Sequence, residues 1–550
     1  DIFLKKNNDW LDGVFTIPKV MSRPGRPMKA FTELSERSKR RKTEHLRSNT
    51  EMAVLTYATK VKLGTEGKRT ASKILNEITS SPKRAGKYKR AYSTSLQEGE
   101  GHLTSQALAM FVEGGFSRKQ YEIIRSNDKK KYPCYSLLQK AKRDCYPDKE
   151  SYYVTDTCAA INLQSLMDHT VTRLLMYLQE VLETLSEEES KSLILICKWG
   201  CDGSQQSQYK QKFENDADSD ANIFQSSFVP LQLICNTDKK KLIWQNPTPS
   251  SPRYCRPIRI RFVKESTDIT NEEIRYIQNA TNALQDTKVT MADKLFSVKH
   301  TMMLTMVDAK VCNAATETTS TMRCYICGAT CKDFNNLTIT KNVKPETLQF
   351  GLSILHSRIR IFESLLHLSY KLPVKKWQIR SETEKEIVKK RKLEIQEEFR
   401  NKLGLIVDVP KPGFGNTNDG NTSRRFFLNP KLAAEITGID SNLIYRLKVI
   451  LETLSSGHKI NVHKFARYAM ETAKLYVQLY AWHPMTPTLH KILIHGAVVI
   501  ENALLPIGQL SEEAAEARNK HFRLYRQNNA RKSSRVACNT DILNRLLISS

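Results

Sequence analysis

Apolar and polar positions divide the chain into a strand-rich middle with helical segments on either side. Leu193-Ile194-Leu195-Ile196-Cys197 is a continuous apolar run of strand length, which predicts a fully buried strand. It leads into Lys198-Trp199-Gly200-Cys201-Asp202-Gly203, where a glycine turn at the strand end would present one carboxylate. Two more strands are predicted at 228–234 and 258–263. A helix follows over 271–284, from the spacing of Ile274, Ile277 and Ala280, and then a strand over 302–307 that ends at Asp308. Helical spacing covers 162–185, closing at 186–189, and most of 350–500, including a highly charged surface helix over 381–403. Residues 103–126 read as two short helices broken at Gly114-Gly115, the second opened by a capping box from Ser117 to Gln120. That pair suits a helix-turn-helix entering a major groove and equally an ordinary helical hairpin. The last helix, over 511–526, crowds Glu512, Glu513 and Glu516 into its first turns, with Arg518, Lys520, Arg523 and Arg526 after them. Acids at a helix start are favoured by the dipole, so a structural account of them exists beside a metal-ligand one.

Three strands, a helix and a fourth strand, with an aspartate closing the first strand and another closing the fourth, is the ribonuclease-H-like layout. There the first and fourth strands lie side by side, which makes Asp202 and Asp308 neighbours. Two carboxylates brought together repel unless a divalent cation sits between them. Read alone, an acid at a strand end is equally the start of a turn. Cys324 and Cys327, with two residues between them, have the spacing of half a zinc site. His490 and His495 are candidates for the other half, but five positions on an α-helix are about 140° of rotation, so the helix must distort or end there. His483 and Cys331 stand as substitutes, and the two histidines read equally as core or surface residues.

Composition adds a partner. A net charge of +28, from 86 Lys and Arg against 58 Asp and Glu, exceeds what solubility needs and points to a polyanion, nucleic acid ahead of an acidic membrane. No apolar run approaches the roughly 18 residues of a spanning helix, and no leader opens the sequence, which begins at Asp1. Twelve scattered cysteines over 550 residues fit reduced thiols in a reducing compartment. Residues 23–47 hold nine Lys and Arg against three Glu. Within them, Gly25-Arg26-Pro27, flanked by Arg23, forms an extended arm suited to a narrow minor groove, and Lys39, Arg40, Arg41 and Lys42 form a basic helix dense enough to act also as a nuclear-import signal. A second basic stretch spans 82–90. Such charge runs also occur as solvated, flexible arms. Arg424 and Arg425 follow a polar loop around 413–416; they could hold phosphate or simply cap a helix.

Five segments then carry a resemblance: Lys-Trp-Gly-Cys-Asp-Gly at 198–203, Val-Asp-Ala-Lys-Val at 307–311, Cys-Tyr-Ile-Cys at 324–327, His-Lys-Ile-Leu-Ile-His at 490–495, and Glu-Ala-Arg-Asn-Lys through Asn-Asn-Ala-Arg at 516–531. In this order they resemble the Transib transposases, and thereby the related catalytic subunit of the vertebrate V(D)J recombinase, over roughly residues 190–530. The Gly-Arg-Pro arm is more loosely similar to that recombinase's signal-binding domain.

The resemblance implies that Asp202, Asp308 and Glu516 hold two Mg²⁺ or Mn²⁺ ions, the spacing to Asn519-Lys520 selecting Glu516 among the three glutamates. It implies one structural Zn²⁺ on Cys324, Cys327, His490 and His495, and DNA contacts from Arg424, Arg425 and Lys520. The implied architecture is an α/β plus α chain: a ribonuclease-H-like core interrupted by a large helical zinc-binding insertion, with N-terminal helical DNA-binding domains. Its expected divisions are 1–75 for end binding, 76–130 for dimerisation and DNA, 131–190 helical, 191–318 for the first part of the core, 319–505 for the insertion, and 506–550 for the final catalytic helix and tail. The implied activity is cut-and-paste transposition by a nuclear homodimer acting on terminal inverted repeats of double-stranded DNA. The alternatives are a transposon-derived DNA-binding regulator without cleavage activity and a recombinase subunit that needs a partner.

Overall fold

β-Branched and aliphatic residues without a polar interruption have no solvent face to offer, so the run from Leu193 becomes the centre of a sheet. The computed structural model describes residues 30–80, 85, 100–205, 213, 215, 218–237, 240–291, 293–338, 342–411 and 415–550. These residues fall into two compact units, one within 16–141 and the other within 142–550. Arg23, Arg26 and the Gly-Arg-Pro arm lie outside the described residues, as do 412–414 and, apart from Ala85, the basic stretch 82–90.

In the larger unit, eight strands are described. They are β1 (Tyr152–Val154), β2 (Cys158–Ile161), β3 (Leu193–Gln205), β4 (Asn222–Cys235), β5 (Lys241–Gln245), β6 (Arg256–Arg261), β7 (Thr287–Met291) and β8 (Lys294–Leu304). They form one sheet ordered β1-β2-β6-β4-β3-β8-β7, with β5 on β4. β3, β4 and β6 are antiparallel, and β8 returns parallel to β3. The Thr267–Asn282 helix between β6 and β7, capped by Ser266, completes the ribonuclease-H-like order. Pro230 sits in the middle of β4 without a ladder N–H, and there the β3–β4 register shifts between Ile196 and Cys197.

Three expectations change here. The glycines at 200 and 203 do not turn the chain: β3 runs through both to Gln205, with Asp202 opposite Gln225. Pairing along the whole of β4 outweighs the local preference of glycine for a turn. The fourth strand begins earlier and ends at Leu304, and Asp308 opens the Ala309–Ala315 helix. Similarly, Ser186 does not close a helix but caps a new one, Glu187–Lys191, through a capping box with Glu189.

From 354 onward the unit is helical. Ile354–Lys371, Glu382–Leu403 and Gly420–Leu428 meet around Phe362, Phe399 and Phe426, which are fully buried with ring centroids 4.9 and 5.9 Å apart about Phe426. The charged helix starts where expected, with Ser381 accepting from the Glu384 amide. The Glu513–Asn528 helix then packs on β3 and β4. No single helix among the described residues is long and apolar enough to cross a membrane. All twelve cysteines are free thiols.

The smaller unit is helical where described. Glu100–Glu113 and Arg118–Asn127 flank Gly114-Gly115, and the expected capping box between Ser117 and Gln120 is present. Phe111, Tyr121 and Leu138 are buried there, Tyr121 donating to the Pro133 carbonyl at 2.8 Å. The helices from Glu36 to Ser80 bury no residue.

Candidate active site

Asp202 and Asp308 are brought together by a close crossing. β8 ends beside Trp199, and the amides of Thr305 and Met306 both donate to the Trp199 carbonyl at 3.1 Å. The chain then passes directly over Gly200: a Cβ there would lie 1.8 Å from the Met306 carbonyl oxygen. Only glycine permits that approach. Asp308 follows at once and caps the Ala309–Ala315 helix, its Oδ1 accepting from the amides of Lys310 at 2.9 Å and Val311 at 2.8 Å. Those bonds fix the aspartate's rotamer.

Glu516 comes from the opposite end of the chain. The structure sorts the three clustered glutamates by partner. Glu513 pairs with Arg424. Glu512 is buried and accepts from Ser353 Oγ at 2.5 Å and from the amides of Ile354 and His356 and His356 Nδ1, each at 3.0 Å. Glu516 faces His356 Nε2 at 3.3 Å and lies near enough to act on Asp202. One turn along the same face, Asn519 Nδ2 donates to Asp202 Oδ2 at 2.5 Å. The helix start is anchored by Lys198 on β3, whose buried ammonium donates to the carbonyls of Gln509 at 2.8 Å and Ser511 at 2.7 Å.

The electrostatics follow from this convergence. Burial pushes the Asp202 carboxyl well above the ordinary aspartate range, and the charges of Glu516 and Asp308 push it further, with His356 pulling it back. Glu265 adds a fourth carboxylate. Its side chain lies against Gly203, pairs with Lys310 Nζ at 2.8 Å, and is raised by burial, against the Lys310 hydrogen bond. Burial disfavours a charge on His356, yet its bonds to Glu512 and Glu516 outweigh it and hold the imidazole well above its usual range. Burial likewise pushes Glu512 up, but the His356 bond and charge win and keep it low. A set of oxygen donors of like charge suits a hard divalent cation.

Sequence reasoning missed Glu265 and His356, because neither lies in a motif and both reach the site only through the fold. Asn519 served as a landmark for Glu516; its separation of three positions on one helix was the available signal.

A second cluster closes off the helical region. Cys324, Cys327, His490 and His495 are buried, with one ligand atom of each within 4.8 Å of the others. Among the described residues it is the one such group; Asp202, Asp308 and Glu516 do not form another. The unfavourable histidine spacing is resolved by a π-helical turn over Lys491–His495, whose wider i→i+5 winding lets residues five apart share a side. His490 Nε2 lies 3.4 Å from Cys327 Sγ, and His495 Nε2 is buried with no hydrogen-bond partner. The hydrogen bond between the thiols raises Cys324 and lowers Cys327. Two thiols and two imidazoles at this spacing fit a closed tetrahedral zinc site. His483 is elsewhere, its Nδ1 2.9 Å from Tyr476 Oη and its ring against Trp377. Cys331 is also outside the group.

The basic candidates divide. Arg40, Arg41 and Lys42 are exposed on the Glu36–Lys42 helix, while Lys39 is half-buried and pairs with Glu36 at 3.1 Å. Lys520 is exposed on the helix of Glu516. Arg424 is tied to Glu513, and Arg425 donates to the Leu403 carbonyl at 3.1 Å, satisfying the end of the charged helix.

The family model "Recombination-activation protein 1 (RAG1) RNase H domain" matches residues 195–320. No curated protein matches the chain. Among solved structures, the Drosophila P element transposase strand transfer complex is similar at 10% identity over 81% of this chain and 91% of that one, with a TM-score of 0.27. The matched stretch runs from β3 through Asp308 to the end of the helix it caps. On those residues the chain therefore carries a ribonuclease-H-like domain similar to that of RAG1.

Proposed function

We propose that this chain is a cut-and-paste DNA transposase that binds terminal inverted repeats, nicks and hairpins the flanking DNA, and joins the released 3′ ends to target DNA. The observation that carries the reading is the hydrogen bond from Asn519, on the helix of Glu516, to Asp202 on β3, beside the strand that leads to Asp308, which supports a convergence of the three carboxylates from distant segments. Two Mg²⁺ or Mn²⁺ ions held by these carboxylates would supply an activated attacking oxygen and charge relief on the leaving one. The protein's own groups then have defined tasks. Asn519 orients Asp202, the two amide bonds orient Asp308, and the Lys198 clamp sets where the Glu516 helix begins. A Zn²⁺ on Cys324, Cys327, His490 and His495 would tie both ends of the helical insertion together.

The surplus of basic residues supports a DNA partner, with Lys520 on the helix of Glu516, and Arg23, Arg26 and Lys39 to Lys42, as its contacts. Arg424 and Arg425 join them only where DNA draws them from their present partners. Hairpin formation needs a severe bend with an unstacked base. Two ends held together call for a two-fold homodimer, and the basic helix for a nuclear address.

The test is cleavage of linear DNA carrying a Transib-type terminal repeat, with Mg²⁺ or Mn²⁺, by the parent, Asp202→Ala and Glu516→Ala, read on denaturing gels. Nicks and hairpins from the parent alone, with DNA binding kept by all three, are expected. Binding with no cut product from the parent would overturn the reading in favour of a regulator or a partner-dependent recombinase.

A further inference from the structure

Glu512 sits where the Glu516 helix meets the start of the Ile354–Lys371 helix. Ser353 is the N-cap residue of the latter but makes no cap bond to its own helix. The carboxylate from the other helix fills that place: Oε2 accepts from the Ile354 amide, and Oε1 from the His356 amide, His356 Nδ1 and Ser353 Oγ. A buried carboxylate with four donors is a rigid support. Through Nδ1 it fixes the plane of the His356 ring, and the other ring nitrogen then points at Glu516 Oε1 at 3.3 Å.

We infer that His356, braced by Glu512, is a positioning residue for the metal site, holding one oxygen of Glu516 so that the carboxylate keeps its orientation toward Asp202. The inference rests on the reading of Asp202, Asp308 and Glu516 as ion ligands. Glu516 is itself a third exposed, at 34%, and its long side chain has freedom to lose. Removing a group that orients a metal ligand weakens the ion's binding by about 10–100-fold. A basic ring whose main effect was to repel the ion would act in the opposite direction, so the sign of the change separates the two.

The experiment is binding of Mn²⁺ alone to the full chain, followed by the loss of its free-ion electron paramagnetic resonance signal. Parent, Asp202→Ala, His356→Ala and His356→Gln are compared, and each is melted. The parent is expected to bind Mn²⁺ in a way that Asp202→Ala abolishes. His356→Ala should bind about 10–100-fold more weakly at an unchanged melting temperature. His356→Gln, whose amide can still donate toward Glu516, should recover part of the loss. Equal or tighter binding by a folded His356→Ala would overturn the inference. Where His356→Ala fails to fold, Glu512→Leu decides, since it keeps most of the side-chain length and removes every acceptor of the brace, and parent-like affinity there would overturn the inference too. A parent without Asp202-dependent binding overturns the metal-site reading itself, and the inference with it.

Discussion

Gly200→Ala tests the close crossing that delivers Asp308 to Asp202. A Cβ at this position would lie 1.8 Å from the Met306 carbonyl oxygen and 2.4 Å from its carbonyl carbon. Carbon–oxygen contacts between adjacent strands close to about 3.3 Å, so the two segments must part by roughly 1.5 Å. Neither yields freely. β3 is paired with β4 as far as Gln205, and the Trp199 carbonyl holds the amides of Thr305 and Met306 at 3.1 Å. Overpacking of this kind costs about 1–3 kcal/mol. Each kcal/mol lowers the melting temperature by about 2–4 °C in a domain of 150–250 residues and by less in a larger one. The functional effect should be larger than the stability effect, because Asp308 lies two residues past the point of collision. A misplacement on the order of 1 Å among reacting groups costs about 10²-fold in rate. Single-turnover nicking of terminal-repeat DNA by Gly200→Ala should therefore fall about 100-fold, with DNA binding retained. A folded variant that nicks at the parent rate would show that the crossing does not set the carboxylate geometry.

Stripping zinc with a chelator, or replacing Cys327 by Ser, should lower the melting temperature, since the buried thiols and imidazoles lose their common partner; structural zinc is worth roughly 10 kcal/mol to small zinc-finger peptides. Elemental analysis should find one zinc per parent chain, and a metal-free parent of unchanged stability would refute the site. Acid sensitivity should arise at His169, whose Nδ1 accepts from Arg256 at 3.2 Å and whose pKa burial and the Arg256 charge push down to about 3. The folded state keeps this ring neutral while the unfolded state takes a proton below about 6.5, so its stabilising contribution is whole above that pH and is lost as pH falls toward 3. By pH 5 the loss is roughly 2 kcal/mol. His169→Gln, melted at pH 7 and pH 5, should show a smaller acid shift than the parent, and an equal shift would refute the assignment.

Much of this molecule is legible along the chain. The apolar run at 193–197 announced the central strand because a segment with no polar face has to be covered on both sides. Ser117 and Ser381 open helices because a side-chain oxygen satisfies an orphan amide a few residues away, which is a local matter. The strand order put the strand that leads to Asp308 beside the strand of Asp202, and the motif resemblance drew Glu516 and the Cys and His pairs into two sites. Tertiary structure decided what depends on partners far away in sequence. Gly200 reads locally as a turn, yet it is a place where another backbone crosses. Among Glu512, Glu513 and Glu516, only the motif spacing to Asn519-Lys520 singled out Glu516; what each glutamate does is decided by Ser353 with His356, by Arg424 and by Asp202, which occupy different sides of the helix start. Glu265 and His356 have no periodic or motif signature, because their roles come from long-range proximity rather than from spacing. Hydrophobic period and capping report what a residue's near neighbours need, and so determine elements. The assembly of charges that makes a site is set by how those elements pack, which only the folded chain specifies.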